Sequence, residues 1–170
     1  MSAHGRGYVR ELAERAREAQ RAIAVLDASE RRRLIERMAT QLMHQRDAVL
    51  AANALDMAQG RDSGLAPALL DRLRLDESRL ESIATGLMEV AAQPDPLGEV
   101  TRRERRPNGM VIERQRVPLG VIAMIYESRP NVTADAAALC LKAGNAVLLR
   151  GGSEARASNA AIAACVHAAL

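Results

Sequence analysis

The chain has 170 residues, with 24 basic side chains against 21 acidic ones and a formal net charge of +3; that length suits one domain, with room for an appendage and a sizeable core. It holds no run of about 18 apolar residues and no apolar leader core, so neither a spanning helix nor a secretory signal is read and a cytoplasmic location is expected. Tyr8 and Tyr126 are the only aromatics, which leaves Leu, Ile, Val, Met and Ala to build the core.

Residues 8–26 carry Val9, Leu12, Ala16, Ala19 and Ile23 at helical spacing. A break at 27–29 follows, with Ser29 the expected N-cap of the next helix. Leu34, Ile35, Met38, Leu42, Val49 and Leu50 predict one long helix that ends near Gly60. Residues 67–73 form a short helical turn. Asp76 caps a further helix bearing Leu80, Ile83, Leu87 and Val90, which Pro94 and Pro96 bring to a stop. Residues 99–106 and 110–116 then change to strand character around Asn108-Gly109, a two-residue hairpin signal.

Arg102, Arg103, Arg105 and Arg106, offset by Glu104, account for the whole +3. Four arginines on a ribbon can contact nucleic-acid phosphates. No aromatic platform accompanies them, so a solvated or intersubunit hairpin is the expected role and no nucleic-acid partner is expected. Cys140 and Cys165 lack metal-ligand spacing and read as small buried apolar residues. His4, His44 and His167 are isolated, so no metal site is expected.

Residues 117–125 are uncharged and rich in Val and Ile, as in a strand buried on both faces, with its ladder starting after Pro118. A loop follows, in which Arg129 is pushed to extended geometry because it precedes Pro130. Asn131 or Thr133 then caps a helix whose Ala134, Ala137, Ala138 and Leu141 share one face, and Gly144 is its left-handed terminator. Residues 146–149 are a second short apolar strand. A strand–helix–strand of this length implies a parallel pair. Arg150, Gly151, Gly152, Ser153 and Glu154 open a last helix: Ser153 is its expected N-cap, and its start offers free amides and positive dipole to an anion. On spacing alone this is equally well an ordinary strand-to-helix turn.

Tyr126-Glu127-Ser128-Arg129-Pro130-Asn131-Val132-Thr133, Cys140-Leu141-Lys142-Ala143-Gly144-Asn145 and Leu149-Arg150-Gly151-Gly152-Ser153-Glu154 resemble the γ-glutamyl phosphate reductase branch of the aldehyde dehydrogenase superfamily. The fold so implied is α/β: N-terminal helices and the start of a Rossmann-like parallel sheet, with a β-hairpin. Residues 1–99 and 117–170 would form part of the nucleotide-binding domain and 100–116 the hairpin of an oligomerisation region.

The resemblance implies reduction of γ-glutamyl phosphate to glutamate 5-semialdehyde in proline biosynthesis, with NADPH as cofactor and a homo-oligomer as the assembly. Asn131 would donate to the oxyanion, and Glu127 and Arg129 would flank the substrate. Arg150, Gly151, Gly152, Ser153 and Glu154 would hold the adenosine ribose, with Arg150 suited to a 2′-phosphate. The family's nucleophilic cysteine falls beyond residue 170 and its catalytic domain is missing. The chain is therefore expected to be an inactive piece of a longer enzyme or a non-catalytic remnant.

Overall fold

The computed structural model describes residues 3–170, with side chains from residue 7 onward; His4 lies outside the described side chains. Five helices come first: α1 (Ala3–Ala24), α2 (Ala28–His44), α3 (Arg46–Asp62), α4 (Pro67–Leu73) and α5 (Glu77–Ala92). A ribbon of β1 (Val100–Arg105) and β2 (Val111–Gln115) precedes the unit β3 (Val121–Ile125), α6 (Asn131–Lys142) and β4 (Ala146–Arg150). A 3₁₀ turn (Ser153–Ala155) leads into α7 (Arg156–Ala169).

Two helix boundaries differ from the sequence reading. The N-cap of α2 is Asp27 rather than Ser29: its carboxylate accepts from the Glu30 amide at 2.8 Å, while the Glu30 carboxylate accepts from the Asp27 amide at 2.7 Å. That reciprocal capping box needs an acid three residues after the cap, which Asp27 has and Ser29 lacks. Ser29 instead donates its hydroxyl to Asp27. The long second helix is two, separated at Gln45 (φ −100°, ψ 19°). Bonds from the Gln45 amide to Gln41 and from the Val49 amide to Gln45 continue the i→i−4 pattern across the break, so the apolar periodicity passes over it unmarked.

The core is aliphatic. Ile35, Met38, Leu42, Leu80, Leu87 and Ile162 are at most 1% exposed and join α2, α5 and α7; burying each contributes roughly 1.5–3 kcal/mol. Ala134, Ala138 and Leu141 bring α6 into the same cluster. Cys140 and Cys165 are buried and free, and burial pushes both thiols above their ordinary pKa.

β3 and β4 pair in parallel, from Val121 with Ala146 to Ile125 with Arg150. β3 is not buried on both faces, against the expectation from its composition: Ala123 and Ile125 on one face are exposed, Ile125 by 77%, and Ile122 and Met124 on the other are only partly buried. Among the described residues two strands make this sheet, so an all-apolar strand has too little covering it. The hairpin turn also differs. Arg106 and Met110 close a loop of Pro107, Asn108 and Gly109, with only Gly109 at positive φ (+86°). Pro107 has no N–H with which to close a two-residue turn around Asn108-Gly109.

The helix α6 begins without a side-chain cap. Pro130 sits at the N-cap in helical geometry, where its missing donor costs nothing, so neither Asn131 nor Thr133 fills that role. Its far end matches expectation: the Asn145 amide bonds Cys140 and the Gly144 amide bonds Leu141, a Schellman closure with Gly144 at φ +69°. A β-carbon on Gly144 would stand 2.8 Å from Leu97 and 2.9 Å from Pro118.

Gly144→Ala should therefore destabilise the fold by about 2 kcal/mol or more, from the left-handed backbone and the crowding together. The check is the urea midpoint at unchanged slope. The Ser29 hydroxyl and then the Glu30 amide hold the Asp27 carboxyl below its ordinary pKa. A depressed carboxyl stabilises above its unfolded pKa and loses that contribution as pH falls through its folded one. The stability gap to Asp27→Ala should thus be full at neutral pH and shrink on acidification, measured by melts across an acid pH series.

Candidate functional site

Two loops meet at the carboxyl end of the parallel pair: residues 126–130 after β3 and 151–155 after β4. Ligands of open α/β sheets sit at this end. The Ser128 hydroxyl donates to Glu154 at 2.9 Å. The Tyr126 and Thr133 hydroxyls share a hydrogen bond at 2.7 Å, and Thr133 donates to Asn159 at 3.0 Å. The two loops are thereby tied to each other, to α6 and to α7.

The Gly151-Gly152 pair is explained by this closeness. A β-carbon on Gly152 would meet the Ser128 hydroxyl at 2.8 Å and its backbone nitrogen at 3.3 Å. One on Gly151 would strike Asn159 and stand 3.1 Å from the Tyr126 ring. Neither glycine has positive φ, so space rather than backbone freedom demands them.

The start of α7 is arranged differently from the sequence reading. Ser153 opens the 3₁₀ turn and caps nothing. The cap comes from α3: the Asp56 carboxylate, 3% exposed, accepts from the amides of Ala157 (3.0 Å) and Ser158 (2.7 Å) and from the Ser158 hydroxyl (2.6 Å). Buried Asn53 donates to the Leu73 carbonyl and to Ser158, and accepts from the Leu75 amide. An internal anion therefore occupies the first turn of α7. The amides left for a ligand lie earlier: no described residue accepts from those of Gly151, Gly152 or Ser153.

A cleft of about 630 Å³ opens on that turn, lined by Arg150, Gly151, Gly152 and Ser153 together with Gln59, Arg156 and Asn159. Four of the five residues singled out for a cofactor are thus brought together. Glu154 is not among the lining residues: its carboxylate turns to Ser128, and its own backbone amide and then that hydroxyl hold it below the usual carboxylate pKa. Two guanidinium groups beside unpaired amides fit an anionic group such as a ribose phosphate.

Asn131 lines a second cavity of about 450 Å³, between α4–α5 and the start of α6. One N–H of its amide goes to Asp135 at 3.0 Å, leaving the other N–H uncommitted. Glu127 accepts from Arg129 at 3.1 Å and lies 3.5 Å from Arg72, so the two residues assigned to substrate are paired with each other at the surface. A third cavity, about 520 Å³ and mostly apolar, lies between α1, β4 and α7.

On the ribbon, Arg102 and Arg106 pair with Glu104, Arg103 with Glu113 and Arg116 with Glu99, which cancels much of the charge on which a nucleic-acid reading rested. Among the described residues no three His, Cys, Asp or Glu side chains gather to hold a metal ion, and no helix is long and apolar enough to cross a membrane.

Asp56, Asn53, Gln59 and Asn159 were not singled out from the sequence. Asp56 stands about a hundred residues before the helix that it caps, and nothing local marks that pairing.

The model of the aldehyde dehydrogenase family matches residues 1–170. The chain is 56% identical over 163 residues to a gamma-glutamyl phosphate reductase of Xylella fastidiosa, covering 96% of this chain and 38% of that protein. Gamma-glutamyl phosphate reductase from Thermotoga maritima superposes with a TM-score of 0.90 at 40% identity, covering 94% of this chain and 39% of that one. The Saccharomyces cerevisiae protein of the same name gives a TM-score of 0.89 at 31% identity, with coverages of 94% and 40%. The chain thus spans about two fifths of the length of these relatives.

Removing the internal cap tests the architecture. Asp56→Ala should cost about 3 kcal/mol or more, because it leaves buried amides unpaired. Asp56→Asn should fall between, since an amide oxygen cannot replace two carboxylate oxygens. Denaturant unfolding gives the cost, and faster hydrogen exchange at Ala157 and Ser158 locates it.

Proposed function

Since the chain belongs to the aldehyde dehydrogenase family, we propose that it supplies the cofactor-binding wall, and part of the substrate wall, of an NADPH-dependent γ-glutamyl phosphate reductase. The complete enzyme would convert γ-glutamyl phosphate to glutamate 5-semialdehyde in proline biosynthesis, in the cytoplasm. The observation that carries this reading is the cleft at the carboxyl end of β4, where Arg150, Arg156 and the unpaired amides of the glycine turn converge.

In this reading Arg150 binds the 2′-phosphate of the adenosine ribose, and the amides of Gly152 and Ser153 and the Asn159 side chain orient the sugar. The bound dinucleotide supplies hydride. Asp56 does not touch the ligand. It holds α7 against α3 and so keeps the turn in place. Asn131, with one N–H fixed by Asp135, directs the other at the reacting acyl oxygen as charge develops there. Neither Cys140 nor Cys165 suits the nucleophile, because each is buried and its thiol is pushed up in pKa, whereas attack needs the thiolate. Residues 1–99 and 117–170 act as part of the nucleotide-binding domain. The ribbon 100–116 projects the half-exposed Met110, Val111 and Ile112 toward a second subunit in a homo-oligomer.

A fluorescence titration with NADPH and NADH tests the cofactor assignment. NADPH should bind at least about tenfold more tightly. Arg150→Ala should remove that preference, since hydrogen bonds between charged groups contribute about 1.5–3 kcal/mol. Equal affinity for both dinucleotides in folded protein, or an unchanged preference in the variant, rules the assignment out.

A further inference from the structure

The cavity beside Asn131 holds a charge arrangement that cofactor binding does not explain. Its walls include Arg72, Arg74 and Arg79 on one side and Asn131 and Asp135 on the other. Asp135 is half-buried, and its one hydrogen bond comes from the neutral Asn131 amide. None of the three arginines pairs with it. Arg72 turns to Glu127 at 3.5 Å, Arg79 holds Asp71 at 2.8 Å, and Arg74 stands 3.7 Å from both Asp71 and Asp76.

A carboxylate withdrawn from water with no cation beside it is unfavourable, and burial does push the Asp135 carboxyl up in pKa. The ordinary resolution within a fold is a neighbouring arginine. Here three stand around the same space, and each faces another acid. The opposite wall has the complementary feature. Arg74 makes only long ionic contacts and is half-exposed, so its planar fork keeps donors free for a second carboxylate.

One side of the cavity thus lacks a cation and the other has a guanidinium to spare. An α-amino acid carries both missing partners on a single carbon.

We propose that this cavity receives the α-amino-acid head group of the substrate, with Asp135 accepting from its ammonium and Arg74 donating to its α-carboxylate. The assignment rests on the reductase reading above and gives that site its selectivity. It also bears on Asn131, which lines the same space. An ammonium at Asp135 neutralises the anion nearest the Asn131 amide, and so removes a charge that opposes an oxyanion there.

The test uses the complete enzyme in the oxidative direction, with phosphate and NADP⁺, on three aldehydes. Glutamate 5-semialdehyde has both head-group charges, 5-oxopentanoate has the carboxylate alone, and pentanal has neither. Asp135→Asn should lower the kcat/KM preference for glutamate 5-semialdehyde over 5-oxopentanoate by about tenfold or more, the size expected for a lost charged hydrogen bond. Arg74→Gln should leave that ratio near its original value and lower the preference for 5-oxopentanoate over pentanal by a similar factor. Arg74 is half-exposed, so its variant reports even if Asp135→Asn folds poorly.

If the unmodified enzyme prefers glutamate 5-semialdehyde and neither ratio moves in a folded variant, the head-group assignment is overturned and the reductase reading stands. If both variants lower all three activities alike, the residues are structural and the assignment is again overturned. An unmodified enzyme that turns over none of the aldehydes overturns the reductase reading itself.

Discussion

The Asp56 carboxylate is the contact from which the site takes its shape. It is 3% exposed and accepts three hydrogen bonds from the first turn of α7. A charge so placed is tolerable because both of its oxygens accept hydrogen bonds and because the helix N-terminus offers a partial positive charge. Asn53, one turn earlier on α3, ties the same Ser158 hydroxyl to the segment between α4 and α5. Three chain segments far apart in sequence therefore converge on one helix end. The position of that helix end sets the turn before it, and the turn carries Arg150, the glycine pair and Ser153.

The turn is therefore also built differently from a simple phosphate loop. A helix start with four free amides attracts an anion by itself. Here the protein has put its own anion on the first turn. What remains for a ligand is a shallower set of donors, the amides before the helix and two guanidinium groups. In the proposed reading that set takes a ribose phosphate rather than a pyrophosphate pressed against the helix axis.

Most of the elements were legible because their cause is local. Apolar spacing in 8–26 and 77–92, the cap at Asp76 and the left-handed Gly144 each depend on residues within one or two turns. The errors are of two kinds, one local and the other set by distant chain. Ser29 looked like a cap because serine is a good one, but the acid at position 30 selects Asp27. Ser153 looked like a cap for the same reason, but its place is taken by a carboxylate 97 positions earlier in the chain. The strand β3 looked buried because its residues are apolar, yet burial depends on what lies beside it. For the site, the motif identified the turn, and four of its five residues line one cleft. The motif did not reveal Asp56 or Gln59, which enter from α3, or Asn159, which stands beyond the motif on the first turn of α7.

The two loops at the end of the sheet are not independent. Gly152 lies so close to Ser128 that no side chain fits between them, and Glu154 accepts from the Ser128 hydroxyl. Thr133, 2% exposed, touches both Tyr126 from the first loop and Asn159 from the cleft beside the glycine turn. Asn131 stands two residues before Thr133 on the same helical turn. Hydrogen bonds and close contacts through Ser128 and Thr133 thus join the glycine turn to the segment that carries Asn131. The glycines are small because the two loops touch, and in the proposed reading that contact joins the cofactor wall to the substrate wall on neighbouring strands.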